Sequence, residues 1–89
     1  MKRHRILLVE DKWRVAGRLK VQLQGLGYEV VGLANDGQEA VGLAWRLEPD
    51  LIIMERQLPI IDGIETAQTI LAHKPIPIIL LTANTQVWG

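Results

Sequence analysis

Three short runs of apolar residues constrain this chain more than anything else in it. They are Ile6-Leu7-Leu8-Val9, Leu51-Ile52-Ile53-Met54 and Ile78-Ile79-Leu80-Leu81. A strand with one wet face alternates apolar and polar residues, whereas a run without alternation is expected where both faces are covered. The first run stops at Glu10-Asp11 and the second at Glu55. If these two strands lie side by side and parallel, three carboxylates converge beyond their carboxyl ends, where open α/β sheets place ligands. Clustered carboxylates repel one another, and a hard divalent cation relieves that repulsion.

The segments between the runs have helical spacing. Arg5 to Glu10 is read as the first strand. Lys12 to Leu26 follows as a helix with Trp13, Val15, Ala16, Leu19, Leu23 and Leu26 on its apolar stripe, stopped by Gly25 and Gly27. Glu29 to Leu33 is β-branched and reads as a second strand. Asp36 and Glu39 have capping-box spacing and open a helix through Ala40, Val41, Leu43, Ala44 and Leu47, with Pro49 preventing its continuation. Leu51 to Glu55 is the third strand. Asp62 and Glu65 repeat the capping spacing and start a helix reaching about Ala72, and Ile78 to Thr82 is the fourth strand. Strands alternating with helices over short connections predict a parallel α/β sheet built from right-handed crossovers.

Composition narrows the function classes. With 89 residues the chain is one domain, spanning 1–89, and with 48% hydrophobic residues it has the makings of a packed core. The absence of cysteine excludes disulfides and thiolate metal sites. Ten basic and ten acidic residues cancel, which argues against direct nucleic-acid binding. No apolar stretch approaches the roughly 20 residues of a membrane span, and a cytoplasmic location is expected.

Five pieces in order carry a resemblance: Ile6-Leu7-Leu8-Val9-Glu10-Asp11, Asn35-Asp36-Gly37-Gln38-Glu39-Ala40, Pro49-Asp50-Leu51-Ile52-Ile53-Met54-Glu55, Leu58-Pro59 with Asp62-Gly63, and Leu80-Leu81-Thr82-Ala83. The chain resembles the receiver domain of two-component response regulators, a flavodoxin-like fold. The resemblance implies a parallel sheet in the order 2-1-3-4 with helices on both faces, truncated after the fourth strand. It also implies a Mg²⁺ site made by Glu10, Asp11, Glu55 and the backbone carbonyl of Gln57. Thr82 falls on the switch hydroxyl, and Glu55 falls on the phosphoacceptor position, where the family has Asp. The implied partner is a sensor histidine kinase or a phosphotransfer protein.

Two departures follow from that resemblance. The extra methylene of Glu55 displaces its carboxylate by roughly 1.5 Å, one carbon–carbon bond, and a misplacement of about 1 Å costs a nucleophile on the order of 100-fold. The expected result is a phosphorylation-deficient receiver, or a partial phosphomimic whose fixed charge biases a two-state switch. The second departure is the lack of a fifth strand and its Lys, which leaves the domain incomplete at its C-terminus and the apolar fourth strand at an edge. An alternative follows: an assembly module that forms a homodimer or swaps through that edge, with the Ala83–Gly89 tail included.

The remaining residues receive plainer readings. Asp36 and Asp62 are helix caps. Lys12 and Arg56 adjoin the acids as candidate ion-pair partners. Trp13 and Trp45 are expected to be partly buried on their helices, and Trp88 is a candidate cover for the open edge. His4 and His73 lie far from the acids in sequence and are given no metal or phosphoryl role. A nucleophilic Ser elbow and a positioned His are both missing, so the chain is not read as an enzyme.

Overall fold

A computed structural model describes residues 3–82. Strands and helices alternate as β1 (Arg5–Val9), α1 (Trp13–Gly25), β2 (Glu29–Ala34), α2 (Gly37–Leu47), β3 (Leu51–Glu55), α3 (Gly63–Leu71) and β4 (Ile78–Leu81). The strands form one parallel sheet in the order β2-β1-β3-β4, the order implied by the resemblance. Ala83–Gly89, including Trp88, lie outside the described residues, as does the expectation that this tail covers the edge.

The apolar runs of β1 and β3 supply the centre of the core, whereas that of β4 is left partly uncovered. Leu7 and Val9 of β1, with Ile52 and Met54 of β3, join Ala40 and Ala44 of α2 and Ala67 and Ile70 of α3 in one buried cluster. Ile6 and Leu8 point to the other face and are equally buried, because α1 packs across β1 and β2 there. Helices therefore cover both faces, and small alanines let α2 and α3 approach the sheet closely. Both caps form: Asp36 Oδ1 accepts from the Glu39 amide and Asp62 Oδ1 from the Glu65 amide, each at 2.8 Å. Helix α2 ends at Glu48 in the left-handed region, where Lys74 Nζ lies 2.6 Å from its Oε1.

Cover is uneven. Helix α1 packs on β1 and β2, and at the β4 edge Ile79 is 49% and Leu80 39% exposed. The expected apolar stripe of α1 is also narrower than its sequence suggests. Ala16 is buried and Leu19 and Leu23 are half-buried, but Trp13 is 74% and Leu26 75% exposed. Partial burial of Trp13 is thus corrected: as the first helical residue it stands past the end of β1, beyond the sheet that would cover it. Trp45, 39% exposed, is likewise less covered than expected and lies edge-on to His73 with ring centroids 4.8 Å apart.

The loop from β3 to α3 is under backbone tension. The Ile61 amide donates to the Pro59 carbonyl at 2.8 Å around Ile60, whose φ is +73°. This is a γ-turn of the rarer, strained form. A β-branched residue in the left-handed region crowds its own carbonyl, at roughly 1–2 kcal/mol. The side chain is 73% exposed and recovers little by burial. Ile60→Gly is therefore expected to stabilise the fold by about 1 kcal/mol, the strain relief exceeding the added chain entropy of glycine. Urea unfolding checks this; a lower midpoint in the variant would contradict it.

Candidate functional site: an acidic crevice at the strand carboxyl ends

Parallel pairing brings the two acid-tipped strands together. Val9 lies beside Met54 and Glu55 beside Leu81, so Glu10, Glu55 and Thr82 leave adjacent strands at one end of the sheet. The Glu10 amide still bonds the Ala34 carbonyl of β2 at 3.0 Å, which fixes where its side chain emerges. Glu10 is 4% and Glu55 5% exposed, whereas Asp11, Gln57 and Thr82 are exposed.

Both buried carboxylates are held by the loops that follow them. Glu10 Oε2 accepts from the Lys12 amide at 2.9 Å, and Glu55 Oε1 accepts from the Gln57 amide at 3.3 Å. Charged acceptors favour such amide donors. Among the described residues, no group of three His, Cys, Asp or Glu side chains is placed to hold a metal ion. One oxygen of each buried carboxylate is held by the loop that follows it, and Glu10 still lies close enough to Asp11 and Glu55 to feel their charges. Lys12 takes part through its amide. Neither Lys12 nor Arg56 makes a side-chain ion pair among the described residues.

Sequence reasoning missed the peptide that clamps the crevice. The Arg56 amide donates to the Leu81 carbonyl at 2.7 Å, and the Arg56 carbonyl accepts from the Gly63 amide at 2.6 Å. The residue after Glu55 thus ties the end of β4 to the start of α3. A Cβ on Gly63 would lie 2.7 Å from the Glu55 carbonyl oxygen and 2.8 Å from Arg56 Cα, so only glycine permits this approach. The Asp62-Gly63 pair is the available signal, but in the sequence it reads as a helix start and a piece of the resemblance and not as a clamp.

Burial pushes the Glu10 carboxyl above the usual carboxylate range. The Lys12 amide opposes that rise, while a hydrogen bond with Asp11 and the charges of Glu55 and Asp11 add to it. The folded protein therefore binds this proton more tightly than the unfolded chain does. Its contribution to stability is complete below the ordinary carboxylate value and is lost as pH rises through the raised one. Without added divalent cation, Glu10→Gln should flatten this part of the pH–stability profile and raise stability at neutral pH. Thermal melts across the mildly acidic range check it; an unchanged profile would contradict the assignment.

Comparison with known proteins agrees with this geometry. The family model for the response regulator receiver domain matches residues 6–87. The transcriptional regulatory protein PdtaR of Mycobacterium tuberculosis is 45% identical over 82 residues, covering 92% of this chain and 40% of that protein. The chain thus spans less than half the length of this relative. The crystal structure of the response regulator domain of Thermotoga maritima CheB superposes with a TM-score of 0.89 at 34% identity, over 96% of this chain and 64% of that one. The signal receiver domain of a modulated diguanylate cyclase from Desulfovibrio desulfuricans G20 gives 0.86 at 38% identity, over 93% and 67%. Sheet order, acid-tipped strands and sequence all lead to one assignment: the chain belongs to the response regulator receiver domain family.

Proposed function

We propose that this chain is a two-component receiver whose acceptor position, Glu55, holds a permanent charge in place of a reversible phosphoryl group. The observation that carries this reading is the placement of Glu55, buried at the end of β3 and paired with Leu81, the residue before Thr82. A carboxylate there keeps negative charge beside the switch position. Its oxygen is held by the Gln57 amide, and its extra methylene misplaces it for in-line attack.

Glu10, Asp11, Glu55 and the Gln57 carbonyl are the oxygen donors for Mg²⁺ in this reading. Their chemistry suits a hard cation, and the buried Glu10 carboxyl gains from a positive neighbour. The amides engage only Oε2 of Glu10 and Oε1 of Glu55, so a second oxygen of each carboxylate is the one offered to the ion. The ion, when bound, offsets the carboxylate charge. The protein's own part is to hold the oxygens at the ends of two rigid strands, with Thr82 at the end of a third. The partners are a sensor histidine kinase or a phosphotransfer protein, the location is cytoplasmic, and the chain catalyses no reaction of its own.

The discriminating experiment restores the shorter acid. Glu55→Asp, with Mg²⁺ and a small phosphodonor such as acetyl phosphate, should take up phosphoryl on the order of 100-fold faster than the chain as it stands. Phosphoprotein mass measured over time is the readout. Equal uptake by both forms would sink the claim that Glu55 disables transfer, and absence of uptake in both would sink the receiver-site reading.

A second reading, assembly through β4, has one observation in its favour. β4 is the last strand of the described sheet, and its Ile79 and Leu80 are substantially exposed. An apolar edge without charge invites pairing. Light scattering should then show a dimer that Leu80→Lys converts to monomer; a monomer in both forms rejects this reading.

A further inference from the structure

Glycine at position 37 is required by a contact that lies outside the acidic crevice. Gly37 is the first residue of α2 and is buried. A Cβ there would overlap Thr66 Oγ1 and would lie 2.7 Å from the Ile61 carbonyl oxygen, so no side chain fits between them. Thr66 is fully buried near the start of α3. Its hydroxyl donates to the Asp62 carbonyl at 2.7 Å, an oxygen that already accepts the Thr66 amide at 2.9 Å. The bond thus rescues no acceptor that would otherwise go unpaired; its effect is to fix the hydroxyl where it meets Gly37.

Each side of this contact leads to one of the buried acids. Only Asn35 and Asp36 separate Gly37 from Ala34, whose carbonyl accepts the Glu10 amide at 3.0 Å. Those two residues are themselves held, because the Asn35 amide donates to Glu39 Oε1 at 2.7 Å and the Glu39 amide to Asp36 Oδ1. Reciprocal bonds of this kind leave the corner little freedom. On the other side, Ile61 and Asp62 lead into Gly63, whose amide is bonded to the carbonyl of Arg56, the residue after Glu55. Neither Gly37 nor Thr66 is a hydrogen-bond partner of the two carboxylates. They join the backbone that holds Glu10 to the backbone that holds Glu55.

We propose that Gly37 and Thr66 are positioning residues: their contact seats the β2–α2 corner on the β3–α3 loop and so sets the spacing of Glu10 and Glu55 that selects Mg²⁺ over Ca²⁺. Mg²⁺ demands a near-ideal octahedron of oxygens at about 2.0–2.1 Å, whereas Ca²⁺ accepts a looser shell at about 2.3–2.6 Å. A wedge between corner and loop moves two strand ends apart, which costs the smaller ion more. Groups one step behind the ligands of a metal typically change its affinity by about 10–100-fold when altered. Selection between the ions rests on the crevice being the Mg²⁺ site; the seating of the corner on the loop does not.

The test compares the 89-residue chain with Gly37→Ala, Thr66→Ala and the double variant. Gly37→Ala adds a methyl where there is no room, Thr66→Ala removes the nearest obstacle to it, and the double variant exchanges one for the other. In metal-free protein, amide hydrogen exchange should quicken by about tenfold or more at Arg56 and Gly63 in each single variant. It should not quicken at Ile52, whose amide bonds the Pro77 carbonyl near the start of β3. Calorimetric titration should show Mg²⁺ affinity falling by about tenfold or more in each single variant, with a smaller fall for Ca²⁺. The double variant should recover both properties. Thr66→Ala introduces no overlap, so it carries the comparison even where Gly37→Ala unfolds the chain. An equal rise in exchange at Ile52, an equal loss for both ions, or no recovery in the double variant would overturn the proposal, since each is what a merely structural role predicts. Failure of the unaltered chain to bind Mg²⁺, with exchange behaving as expected, would instead sink the Mg²⁺ reading and leave the positioning contact standing.

Discussion

The structure depends on the fact that β1 must be dry on both faces and β3 on the face turned to the core cluster. Leu7, Val9, Ile52 and Met54 need one layer of helices, and Ile6 and Leu8 need another on the opposite side. A parallel sheet meets that need because each crossover places a helix on one face. The same arrangement aligns the carboxyl ends of the strands, so residues just past the apolar runs gather at one end of the sheet. Burial of the runs and placement of the acids are two consequences of one pattern.

That pattern is also why so much was legible beforehand. The third strand runs Leu51–Glu55, as its apolar residues and terminal acid indicated. Asp36 and Asp62 cap α2 and α3 through the amides that their spacing implied. These features are local: a strand face or a cap is settled by residues a few positions apart. Sheet order is not local, and it became legible only through the family resemblance.

What escaped the sequence depends on where a residue sits along its element or on backbone geometry. Trp13 falls on the periodic stripe of α1 but stands beyond the sheet, so periodicity alone overestimated its burial. Ile60 has no composition cue for a left-handed turn; the pinned ends of the loop, Arg56 and Gly63, impose one on it. The side chains of Glu10 and Glu55 each accept from an amide two residues ahead, a bond that strand patterning does not announce. A buried carboxylate accepts the nearest well-placed donor.

The Arg56 peptide shows how residue 55 and the end of β4 are mechanically joined. Its amide is bonded to the carbonyl of Leu81, and its carbonyl is bonded to the first amide of α3, with no room for a side chain on Gly63. A change in how residue 55 sits cannot be absorbed by its side chain alone, since a packed loop has few alternative arrangements. Movement of the Glu55–Arg56 peptide must pull on the strand end that leads into Thr82, or on the start of α3, or on both. The backbone therefore supplies a route between Glu55 and Thr82 that does not require their side chains to touch.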